Sequence, residues 1–148
     1  MKIYPKHIMV PFRPSDVFFR AFDEAVTIAK QNNARITVVK VIDYRAGLGI
    51  DMMMAADILS RECDLHKFDG ILTGLQKQAI LSDVNLDVKI MDLHLSPAKA
   101  FVDFAYQNDV DMMVMGCIKK KGLTKHFRSD ISDEIMDLSP PCNVVLVE

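Results

Sequence analysis

The chain has 148 residues, half of them apolar and 26% charged, with a formal charge of −2. That length suits one domain with its own core, and residues 1–148 read as a single unit. The near-neutral charge argues against a nucleic-acid or acidic-membrane partner, and no run of ~18 apolar residues suggests a membrane span.

Met1–Val10 holds Pro5 and His7 and no small-residue cleavage pattern, so it reads as the first strand and not as a signal peptide. The first strand is expected over Ile8–Phe12. A helix follows over Ser15–Lys30, with Phe18, Phe22, Ala25, Val26 and Ala29 on one stripe and Ser15 as its N-cap. The second strand is Ile36–Ile42. Met52–Ala79 reads as mostly helical, with Ile58, Leu65, Leu72 and Ala79 at helical spacing and a looser region at Gly70 and Gly74. The third strand is Val88–Leu93. Ser96-Pro97 is a cap followed by proline at the first helical position, and Phe101, Phe104 and Ala105 continue that helix. The fourth strand is Met112–Met115. A last helix is expected from Ser129 or Asp130 to Leu138, stopped by Pro140 and Pro141. Val144–Val147 is the fifth strand.

Most of these strands are near-continuous apolar runs, the pattern of strands covered on both faces. Alternating strands and helices give right-handed crossover units. The expected fold is therefore a three-layer α/β/α arrangement around an open, mostly parallel, five-stranded sheet. The segments Ala29–Val38 and Ala105–Val114 echo each other. Each is a helix end with an Asn able to turn left-handed, then a strand, so one connection is expected to be used twice.

Ligands of such sheets bind beyond the carboxyl ends of the strands. The loops to inspect are Arg13-Pro14-Ser15, Asp43–Asp51 and Gly116–Arg128. Their side chains hold little catalytic chemistry. His7, His66, His94 and His126 are scattered without metal-ligand spacing. Asp23 and Glu24 are sequence neighbours on a helix and diverge. Cys63, Cys117 and Cys142 form no paired motif, so reduced thiols are expected. Cys117 stands beside lysines that could lower its pKa, which leaves a redox-responsive role as an alternative. Met52, Met53 and Met54 read as packing residues. No metal and no catalytic residue is expected.

Particular segments resemble one family. Val110-Asp111-Met112-Met113-Val114-Met115-Gly116, then Gly122-Leu123, Ser132-Asp133-Glu134-Ile135 and Pro141-Cys142-Asn143-Val144-Val145-Leu146-Val147, resemble the C-terminal half of universal stress proteins. Lys6-His7-Ile8-Met9-Val10-Pro11 and Ala21-Phe22-Asp23-Glu24-Ala25 are similar to its opening. The resemblance implies a Rossmann-like sheet of the adenine-nucleotide-α-hydrolase type, in the order 3-2-1-4-5. It also implies a cytoplasmic homodimer joined through the last strand, Val144–Val147, and a role in stress response with an unknown regulatory protein partner.

Members that bind ATP carry G-x-x-G, nine residues, then G-[S/T], and an Asp after the first strand. Glycines let backbone N–H groups approach phosphates, and the Asp accepts hydrogen bonds from the nucleoside. Here Gly116 keeps the first glycine, and Lys119 stands for the second. Ser129-Asp130 stands for Gly-Ser/Thr, and Arg13 replaces the Asp, a donor for an acceptor. Gly122 is retained as a turn glycine. The candidate ligand crevice is thus Phe12, Arg13, Val41, Met115, Gly116, Lys119, Gly122, Ser129 and Asp130. The basic run Lys119–Arg128 reads first as a solvated loop, with an anion site as its alternative. The expected function is a homodimeric binding and regulatory protein without ordinary ATP binding, without a cofactor and without enzymatic activity. The alternative is a nucleotide switch, binding ATP or AMP through a degenerate loop and hydrolysing ATP weakly.

Overall fold

Apolar side chains on both faces of the central strands decide the architecture. The computed structural model describes residues 4–13, 15–42, 67–92, 96–117 and 131–148. Strands β1 (His7–Pro11), β2 (Arg35–Ile42), β3 (Leu86–Asp92), β4 (Met112–Gly116) and β5 (Asn143–Val147) form one sheet. Its order is β3-β2-β1-β4-β5, and every neighbouring pair is parallel. Residues of β1, β2 and β4 alternate between two cores, as the pleat requires. Ile8, Val10, Ile36 and Val38 face α1 (Asp16–Asn32) and the helix over residues 67–81, here α2. Met9, Val39, Met113 and Met115 face α3 (Pro97–Gln107) and α4 (Ile131–Asp137).

The two edge strands depart from the expected continuous apolar pattern. In β3, Asp87, Lys89 and Ile90 are exposed, and in β5 Asn143 and Leu146 are. Charged residues on an edge discourage pairing with another chain, so β3 is the blunted edge and β5 the apolar one. Strand boundaries also shift. β1 and β2 each begin one residue earlier than expected, and Phe12 lies just past β1, its N–H donating to the Val39 carbonyl at 2.8 Å.

The α1 stripe forms as its spacing predicts, with Phe18, Phe22, Ala25, Val26 and Ala29 buried. Ser15 takes the extended N-cap backbone, but its side chain makes no capping hydrogen bond. Ser96 does cap, its Oγ accepting from the Lys99 N–H at 3.1 Å, with Pro97 in the first turn where it costs no bond. In α2 the buried residues are Phe68, Leu75 and Ala79, with Leu72 half-buried. Gly70 and Gly74 lie within this helix. Ile58 and Leu65 fall outside the described residues.

The shared connection recurs more often than expected. Asn33, Asp83, Asp109 and Ser139 all have φ between 51° and 55°. After the first three, the next N–H reaches back to a helix carbonyl: Ala34 to Ala29, Val84 to Ala79 and Val110 to Ala105. The echo between the two Asn-containing segments is close in side chains too. Asn32 and Asn108 each donate from Nδ2 to the carbonyl four residues back, at 2.8 and 2.9 Å. The left-handed residue of the second segment is Asp109, since Asn108 has φ −120°.

Candidate functional site

Strand order reverses at β1, because β2 lies on one side of it and β4 on the other. The register Ile8↔Met112 and Met9↔Met113 brings the ends of β1 and β4 to one level. Such a reversal opens a crevice at the carboxyl edge of the sheet. The cavity found at that edge has a volume of about 380 Å³. It lies towards β2 and takes Phe12 and Arg13 from the end of β1, with Lys40 and Val41 from β2. Pro97 and Phe101 of α3 and Ile131 and Glu134 of α4 complete it.

Its lining is apolar at depth and charged at the rim. Phe12, Phe101 and Ile131 are buried, whereas Arg13 and Glu134 are exposed. Lys40 is only 8% exposed although it carries an ammonium group. That group lies 5.1 Å from the Phe12 ring centroid and 5.6 Å from that of Phe68. Aromatic faces attract a cation and offset part of the cost of burying it. Phe12 also meets Phe18 and Phe68 edge-on, each with centroids 4.7 Å apart. This aromatic group fixes the turn that presents Arg13.

Of the residues expected in the crevice, Phe12, Arg13 and Val41 come together here. Met115 is 2% exposed and belongs to the core under α3 and α4. Gly116 packs against α1: an added Cβ would lie 2.7 Å from Val17 Cβ and 2.8 Å from the Val17 carbonyl. Lys119, Gly122, Ser129 and Asp130 lie outside the described residues, as do the basic run, His94, Met52–Met54 and Cys63.

The model of the universal stress protein family matches residues 5–148. The chain belongs to that family. A universal stress protein of Methanocaldococcus jannaschii is 26% identical over 145 residues, covering 97% of this chain and 82% of the relative. Universal stress protein UspA from Lactobacillus plantarum has a solved structure with 26% identity, a TM-score of 0.81 and full coverage of both chains. A universal stress protein from Archaeoglobus fulgidus, solved in complex with dAMP, has 16% identity and a TM-score of 0.64, covering 99% of this chain and 100% of that one.

Within this universal stress protein, sequence reasoning missed Lys40, Pro97, Phe101, Ile131 and Glu134 as cavity residues. Lys40 carried a signal, a lone charge inside the run Thr37-Val38-Val39-Lys40-Val41-Ile42. Glu134 and Phe101 carried none, because their meeting depends on how α3 and α4 pack.

The amino edge of the sheet holds a second polar cluster. His7 is buried between the Asn108 carbonyl, 3.0 Å from Nδ1, and the Thr37 hydroxyl, 2.8 Å from Nε2. The Asn108 carbonyl only accepts and calls for a proton on Nδ1, with Nε2 accepting from Thr37; the Arg35 Nη2, 3.3 Å from the same Nδ1, only donates and cannot bond that tautomer. Burial lowers the His7 pKa; the Asn108 carbonyl opposes that shift and the Arg35 guanidinium adds to it. Asp111 Oδ2 accepts from the backbone N–H groups of Lys6 and His7, both at 2.8 Å. These bonds join β1 to the start of β4 and the end of α3. Cys142, at the entry to β5, is half-buried, and burial pushes its thiol up to about 11, well away from thiolate chemistry. Among the described residues, no group of three or more His, Cys, Asp and Glu side chains is placed to hold a metal ion. No helix among them is long and apolar enough to cross a membrane.

Proposed function

We propose that this universal stress protein acts in stress adaptation as a cytoplasmic homodimer that binds and regulates a protein partner, without ordinary ATP binding and without catalysis. The observation that supports it is Arg13. It lines the crevice where a nucleoside-binding member would offer a carboxylate acceptor, and a guanidinium only donates. The apolar strand β5, on the open edge of the sheet, supports a two-fold dimer through Val144–Val147. The deciding experiment is titration with a fluorescent ATP analogue at micromolar concentration. No saturable binding is expected, and saturable binding displaced by ATP would overturn the reading.

A nucleotide-responsive role is the second reading. One observation favours it: a structural relative was solved with dAMP, and a cavity of about 380 Å³ stands at the carboxyl edge of this sheet. The same titration separates the two.

A further inference from the structure

Arg13 and Glu134 line one cavity from opposite elements, the end of β1 and α4, and do not pair with each other. Neither side chain has a hydrogen-bond or ion-pair partner among the described residues. We propose that this cavity binds a small amphoteric carboxylate of the amino-acid class. Its carboxylate sits on Arg13, its ammonium group on Glu134 and its apolar body against Phe12, Val41 and Phe101.

The lining carries charges of both signs. Arg13 offers the planar fork that matches a carboxylate with two parallel hydrogen bonds. Lys40 is a further cation of the lining, its ammonium group held over the Phe12 and Phe68 rings. Pro97 brings the first turn of α3, the positive end of that helix, to the lining. Among the described residues Glu134 is the one acidic side chain of the lining, and it only accepts hydrogen bonds when ionised. A ligand with both charges satisfies Arg13 and Glu134 together. A polyphosphate would set further negative charge against Glu134, and a neutral apolar molecule would leave both rim groups unused. A volume of about 380 Å³ is within the usual range of small-molecule pockets.

The inference takes its location from the reading above of a crevice that is not an ordinary ATP site, but it is tested separately. The intact protein is screened by thermal shift and then calorimetry against each standard amino acid. For the strongest binder, the analogue lacking the amino group and the analogue lacking the carboxylate are compared. For phenylalanine these are 3-phenylpropionate and phenethylamine. At least one apolar amino acid is expected to stabilise the protein by mass action. Both analogues are expected to bind at least about tenfold more weakly, each having lost a charge-assisted bond. Arg13→Gln should abolish amino-acid binding. Glu134→Gln should reduce it to the level of the analogue without the amino group. Both residues are exposed, and circular dichroism confirms that each variant is folded. No stabilisation by any amino acid, equal binding of the analogues, or binding that survives both substitutions overturns the proposal. Binding of the ATP analogue alone would reject the reading of the crevice, whereas silence to both ligand sets would reject this inference only.

Discussion

Val17 occupies the space that a side chain on Gly116 would need. Its Cβ and carbonyl would lie 2.7 and 2.8 Å from an added β-carbon. Backbone on the first turn of α1 cannot yield as the far end of a flexible side chain can. Gly116 is therefore required by the close approach of β4 to α1. Gly116→Ala should destabilise the fold by about 1–3 kcal/mol, the range for overpacking. Urea denaturation measures it, and an unchanged midpoint would show that α1 shifts at no cost.

His7 makes stability depend on pH. Its folded pKa lies below the ordinary value of 6.5 because burial disfavours the charged form. As pH falls, the unfolded chain takes up this proton first. The contribution is thus complete above the unfolded value and is lost as pH falls through it towards the folded pKa. The slope in that window reaches at most about 1.4 kcal/mol per pH unit. His7→Gln should be less stable than the parent near neutrality, with the gap narrowing between about pH 7 and pH 5. Denaturant midpoints across that range test it; a gap that stays constant would mean that His7 does not titrate in the window.

Ser139 holds φ at 53° without being glycine. A left-handed backbone costs an L-residue roughly 1–2 kcal/mol, less for Asn and Asp. Ser139→Gly should raise stability by about 0.5–1 kcal/mol, after the entropy that glycine gives to the unfolded chain. Asn33→Gly should gain less, since Asn tolerates this conformation. Comparing the two midpoints isolates backbone strain from the loss of a side chain.

Leu146 is 47% exposed on the edge strand β5. If β5 joins two copies, Leu146→Glu puts a charge on each side of the two-fold contact, and like charges there oppose pairing. Sedimentation velocity should show a dimer for the parent and a shift of at least about tenfold towards monomer for the variant, equivalent to roughly 1.4 kcal/mol. A parent that sediments as a monomer, or a variant that remains a dimer, rejects this interface.

The parts of the fold that were legible in sequence are those set by local pattern. The runs in β1, β2 and β4 are apolar because helices cover both faces, and the α1 stripe states which side is covered. The Asn32-Asn33 and Asn108-Asp109 turns were visible as an echo; the Asp83 turn was not, because Leu81-Ser82 stands where both others have Gln-Asn, and Asp83 matches Asp109 alone. Phe68 and Leu75 were hidden by a seven-residue spacing that followed Leu72 and Ala79 instead. The cavity was half legible. Phe12, Arg13 and Val41 follow from strand ends, which sequence can place. Glu134 meets them only through the packing of α4 on α3, a contact between residues far apart in the chain.

The repeated left-handed turn has a bearing on how such a chain can change. At Asn33, Asp83 and Asp109 it anchors each helix to the strand that follows, and so helps to secure the amino edge of the sheet. The opposite edge is freed from that duty. Residues such as Arg13 can exchange an acceptor for a donor there while the frame stays in place. The scaffold thus separates inheritance of shape from inheritance of chemistry, and a lineage can acquire a new ligand without first finding a new way to fold.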